Sequence, residues 1–299
     1  MNSLRIFACA LALVGAACAH AAKPDRVNIV LFIADDLSTR DIGVYGSSHV
    51  RTPRLDALAR ESLRFDRAFA ASPTCVPSRA ALYTGLMPFR NGAHPNHSQC
   101  REGVQSLAHY FAAAGYQVVQ AGKRHFGPTS VFPWERIEDS EVPESGFEKK
   151  PGLKTDLQVA AVDRWLARRK DPRPLFLIVA DHSPHVVWPE SATFDPAEVD
   201  VPPNHIDTPD TRRARARYYT DIEKMDRNLA TLISSLQSHA LWDTTVFLFT
   251  SDQGAQWAFS KWTLYETGIS VPLIVRWPGK TRPGMHTDAM VSLVDVMPT

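Results

Sequence analysis

The chain has 299 residues, a formal net charge of +1 and an apolar fraction of 44%. That length buries a sizeable core and fits one large α/β domain better than two. The near-zero charge excludes steering of the whole molecule toward nucleic acid, and the apolar fraction is that of an ordinary folded protein.

In chain order, residues 1–5 carry positive charge, residues 6–17 form an apolar run too short to span a bilayer, and Ala19-His20-Ala21 is a small-residue cleavage pattern. Residues 1–21 therefore read as a signal peptide and 22–299 as the exported domain, periplasmic or secreted. A lipid anchor at Cys18 is a second reading, with Gly15 a poor fit for the large aliphatic residue it needs. No later run is long enough for a membrane span. Residues 27–34 are a continuous apolar, β-branched run, the pattern of a strand buried on both faces. A helix is expected over 53–63, with Pro53 in its first turn and Leu55, Leu58, Ala59 and Leu63 on one stripe. A short helix over 78–83 stops at Gly85, and an amphipathic one over 104–114 stops at Gly115. Strands are expected over 116–120, 175–180, 246–250 and 271–275, with helices over 157–167 and 209–239. Alternation of this kind gives a mostly parallel central sheet with helices on both faces.

In such a sheet, ligands sit beyond the carboxyl ends of the strands. The first strand is followed by Asp35 and Asp36, the second by Lys123 and His125, the third by Asp181, His182 and His185, and the fourth by Asp252 and Gln253. Adjacent carboxylates at the end of a buried strand repel, and a divalent cation relieves that repulsion. Asp35, Asp36, Asp252 and Gln253 form an all-oxygen set that suits a hard ion, Ca²⁺ ahead of Mg²⁺. Capping of a following turn is the alternative for either Asp alone. Cys75 and Cys100 are the cysteines of the exported part, and a disulfide between them is one reading of Cys75. Arg79 lies one helical turn after Cys75 and returns to the same face.

The segment Cys75-Val76-Pro77-Ser78-Arg79, followed by Thr84-Gly85, resembles the C-x-P-x-R signature of type I sulfatases. The resemblance implies an alkaline-phosphatase-like α/β core and a Ca²⁺ ion. It also implies that a maturation enzyme oxidises Cys75 to formylglycine, whose hydrated aldehyde attacks sulfur and ligates the metal. It makes Arg79, Lys123, His125, His185 and Lys261 the expected catalytic set, with His182 the competitor for the His185 role. Residues 122–128 and 132–134 add a narrower likeness to heparan N-sulfatases, so a sulfated saccharide such as a heparan-type glucosamine is the expected substrate. Gln253 departs from the family's usual Asn, keeping the amide oxygen at longer reach. A phosphoester or phosphonate hydrolase of the same superfamily, and a sulfated-glycan binder without turnover, are the competing readings. Two basic stretches, 164–170 and 212–217, could meet a polyanion or form solvated helix faces. The segment 291–299 reads as entry into a further helix, so a longer chain with a C-terminal subdomain is expected.

Overall fold

Every residue from Val30 to Ala34 is buried, because strand β1 (Asn28–Ala34) is covered on both faces. The structure is a computed structural model that describes residues 27–143 and 155–299. The expected signal peptide lies outside the described residues. The remaining strands are β2 (Leu63–Phe69), β3 (Gln117–Gly122), β4 (Glu135–Arg136), β5 (Glu141–Pro143), β6 (Thr155–Leu157), β7 (Leu175–Ala180), β8 (Thr245–Ser251), β9 (Ser270–Arg276) and β10 (Met285–Ser292). The helices are α1 (Pro53–Arg60), α2 (Cys75–Thr84), α3 (Pro88–Asn91), α4 (Leu107–Ala113), α5 (Val159–Arg168), α6 (Pro209–Ser238) and α7 (Glu266–Ile269).

Eight strands form one sheet in the order β10-β2-β9-β8-β1-β7-β3-β4. The block from β8 to β4 is parallel, β9 runs antiparallel to both β8 and β2, and β10 pairs parallel with β2. The sheet is thus mostly parallel, as expected. β1 feeds two cores by alternation. Val30, Phe32 and Ala34 pack with α1, α5 and α6 on one face. Leu31 and Ile33 pack with α2 and α4 on the other. Burying each large side chain in these layers is worth roughly 1.5–3 kcal/mol.

The differences from expectation have tertiary causes. Leu63 does not extend α1, which stops at Arg60. It opens β2, whose pairing with β9 and β10 overrides the local helical pattern. Leu157 belongs to β6 rather than to α5. β10 is a half-exposed edge strand, so it lacks the buried run that reveals the central strands. Val291 and Ser292 finish β10, and a single 3₁₀ turn at Leu293–Asp295 comes next. The basic stretch 212–217 is internally paired. Arg212 bonds Asp207, Arg213 bonds Asp210, Arg215 is buried on Asp41 at 2.8 Å, and Arg217 bonds the Glu190 carbonyl. Among the described residues no helix is long and apolar enough to cross a membrane.

Candidate active site

Register brings the strand-end residues together. Ala34 pairs with Ser251 and Gly122 with Ala180, so Asp35, Asp252 and Lys123 leave the sheet side by side. Gly122 has φ 76°, and a Cβ there would lie 2.1 Å from the Ala180 carbonyl oxygen. Only glycine lets Lys123 turn inward at this point. Successive strand side chains normally point to opposite faces. Asp36, at φ 65°, breaks that alternation: its carboxylate joins that of Asp35, and its backbone N–H donates to Asp252 Oδ1 at 3.2 Å. Asp181 does not join them. It faces α6 and accepts from Asn228 at 2.9 Å.

Cys75 is the first residue of α2, so it stands at the positive end of a ten-residue helix. Its Sγ is 3.7 Å from Asp35 Oδ1, 3.3 Å from Gln253 Nε2 and 3.9 Å from Lys123 Nζ. Cys75 and Cys100 are both free thiols, so the disulfide reading is not realised. Burial pushes the Cys75 thiol up to about 12, with Lys123 opposing and the three carboxylates adding to the rise. One turn on, the fully buried Arg79 donates from Nε to Asp252 Oδ2 at 2.8 Å, and its Nη2 stands 3.6 Å from Asp35. A guanidinium can span two carboxylates in this way and an ammonium cannot. The whole of α2 is buried. Tyr83 anchors it by edge-on contacts with Phe126, Phe132 and Trp134, which gives the 126–134 segment a packing role.

Lys123 bonds Asp35, and Lys261 bonds Asp36 at 2.8 Å. Burial opposes ionisation of Asp35, yet Lys123, His185, Arg79 and Lys261 outweigh it and hold the carboxyl well below the usual range. Burial pushes Asp252 up to about 7 against Arg79, with Asp35 and Asp36 contributing. The three carboxylates face three cations, Arg79, Lys123 and Lys261.

The two candidate imidazoles after β7 separate cleanly. His185 Nε2 is 3.7 Å from Asp36 Oδ2, and its side chain is 31% exposed, at the mouth of the cluster. His182 turns away to Thr155 and Glu141, the latter at 3.0 Å. His125 leaves extended backbone geometry. At φ 36° its Nε2 meets His97 Nδ1 at 3.0 Å, and its Nδ1 has no hydrogen-bond partner among the described residues. Burial, with Lys123 and Arg79 adding, lowers His125 to about 3. Three further residues support these groups. Ser78 bonds the Asp252 carbonyl, Asn96 accepts from the Val76 N–H at 3.1 Å, and His97 holds His125.

The donor set fits a cation. Ligand atoms of Asp35, Asp36, Cys75 and His185 lie within 4.8 Å of one another. Gln253 Oε1 is buried without a partner among the described residues, while its Nε2 is spent on Asp36 and Cys75. A half-turn of that amide presents a carbonyl oxygen to the same cluster.

Residues 27–299 match the protein-family model described as Sulfatase. This chain belongs to the sulfatase family. It is 33% identical over 322 residues to a human N-sulphoglucosamine sulphohydrolase, covering 97% of this chain and 62% of the relative. It is 31% identical over 283 residues to an ulvan-active sulfatase of Formosa agariphila, covering 92% of this chain and 53% of the relative. The chain thus spans a little over half the length of these curated sulfatases. Among solved structures, one in complex with its substrate D-glucosamine-2-N,6-O-disulfate aligns with a TM-score of 0.72 at 20% identity, over 92% of this chain and 76% of that one. The phosphonate monoester hydrolase of Agrobacterium radiobacter aligns with a TM-score of 0.74 at 20% identity, over 92% and 73%. Those two likenesses establish the shared fold alone.

Proposed function

We propose that this sulfatase hydrolyses a sulfate ester or sulfamate on a saccharide, using position 75 as the source of its nucleophile. One observation carries the reading. Cys75, at the N-terminus of α2, faces Asp35, Asp36 and Asp252 together with Arg79, Lys123 and Lys261. The family membership and the saccharide sulfatases among its relatives support it.

In this reading Asp35, Asp36, Asp252 and Gln253 hold a divalent cation, Ca²⁺ by the preponderance of oxygen donors, with position 75 beside it. The cation would polarise the sulfate oxygens, and formylglycine at position 75 would supply the attacking hydroxyl. Lys123 and Lys261 exchange part of their contact with Asp35 and Asp36 for the sulfate oxygens. Arg79 holds Asp35 and Asp252 in place and opposes the upward push of burial on Asp252. His125, held by His97, is assigned the nucleophile's proton during sulfate release. His185 is assigned the proton delivered to the departing oxygen or nitrogen. A sulfatase-maturating enzyme and export after removal of residues 1–21 belong to the same proposal.

Purified matured protein should turn over N- or O-sulfated glucosamines and prefer an aryl sulfate to the matching aryl phosphate. Faster phosphate turnover would assign the chain to phosphoester chemistry instead. A matured protein that binds sulfated saccharides without any release of sulfate would favour the binder. His185→Ala should lower kcat for saccharide substrates by about 10²–10⁴-fold and for an activated aryl sulfate by less than about 10-fold. Equal losses on both substrates would remove the proton-donor role.

A further inference from the structure

The loop between β8 and β9 inverts the usual placement of its side chains. It buries Lys261 (3% exposed) and exposes Phe259 (56%), Trp262 (57%), Leu264 (76%) and Tyr265 (62%). The loop is tightly built. Gly254 donates to the Gly268 carbonyl at 3.0 Å, Lys261 N–H to Ala255 at 3.0 Å, and the Ser260 hydroxyl to Thr267 at 2.6 Å. A Cβ on Gly254 would lie 1.9 Å from the Thr267 carbonyl oxygen, so the two ends close directly on each other. Within this frame Trp262 has φ 75° and Phe259 has φ 60°. Bulky residues reach that region only when their surroundings hold them there, and such strain concentrates where a side chain must be aimed.

Trp262 is aimed at the mouth of the reaction centre. Its N–H donates to the Pro73 carbonyl at 3.0 Å, two residues before Cys75. Lys261 Nζ, which bonds Asp36, lies 5.6 Å from the centre of its indole ring. Phe259 and Tyr265 form an edge-on pair on the same loop, with centroids 5.9 Å apart. A large ring on a constrained backbone at the solvent side of a polar cluster suits a ligand with one charged group and one flat apolar face. A pyranose bearing a sulfate is such a ligand: its axial C–H groups lie against the ring while the sulfate reaches the cations.

We infer that Trp262 is a specificity-determining residue that stacks on the sugar ring carrying the scissile sulfate. The inference rests on the proposed sulfated-saccharide reading. It is tested with the matured wild-type enzyme and with Trp262→Ala and Trp262→Phe, using glucosamine N-sulfate as substrate and inorganic sulfate as competing product. Trp262→Ala should raise KM for the saccharide by about 10-fold, leave kcat within about 3-fold and leave inhibition by sulfate unchanged. Trp262→Phe, which keeps a flat ring, should recover most of the loss. An unchanged saccharide KM in the Ala variant overturns the inference. So does a parallel loss of kcat and sulfate inhibition, which would make the ring a support for Lys261. A clear fall in Tm with unchanged KM would assign the patch to protein packing and likewise overturn it. If wild-type enzyme turns over no sulfated saccharide, the underlying reading fails first, and the variants are not needed to show it.

Discussion

Cys75→Ala should abolish sulfate release, with kcat down by about 10⁴-fold or more, while the protein stays folded. The side chain is 1% exposed and sits among polar groups rather than in either hydrophobic layer's interior. Removing one sulfur there should cost on the order of 1 kcal/mol, a small shift in Tm. Rate and stability therefore separate, and both are measured on the same preparation. The companion measurement is peptide mass spectrometry across residues 72–84 of the wild-type protein from a host with the maturation enzyme. Conversion to formylglycine lowers the residue mass relative to cysteine. A Cys75→Ala variant within 10-fold of wild type would end the proposed mechanism. So would an unmodified thiol in fully active protein.

Removal of divalent metal should be nearly as damaging. Asp35, Asp36 and Asp252 are buried together, and Gln253 Oε1 is a buried acceptor with no partner among the described residues. Chelation should reduce activity by at least about 100-fold, and Ca²⁺ should restore it better than Zn²⁺, because oxygen donors outnumber softer ones. Cys75 and His185 stand in the same cluster, so a zinc preference is a real alternative outcome and would refute the oxygen-ligand assignment. A readout independent of activity is available. An ion that binds only the folded chain stabilises it by about 2.7 kcal/mol at 100 times its Kd. Tm of the chelated Cys75→Ala protein should therefore rise with added Ca²⁺. A flat Tm across the titration would count against the site even if activity responded.

The strand ends that carry the site were legible because β1, β3, β7 and β8 are buried runs with short, abrupt ends. In a parallel sheet the residues just after such runs fall on one edge, so Asp35, Lys123, His185 and Asp252 could be placed without knowing the pairing. β2 and β10 were not legible. β2 has Arg64, Asp66 and Arg67 within it and is a strand because β9 and β10 flank it, while β10 has a solvent-facing pattern and is a strand because it pairs with β2.

Sequence by itself determined the candidate nucleophile at Cys75, the helical return of Arg79 and the acidic pair, because these rest on spacing within a few residues. Tertiary structure decided everything that depends on a turn angle or a distant partner. It put Asp36 beside Asp35 through a positive φ, chose His185 over His182, and gave His125 to His97. It also paired Lys123 with Asp35 and Lys261 with Asp36 across 88 and 225 residues. Such contacts leave no periodic trace in the chain, since their geometry is set by sheet register and by how each loop closes.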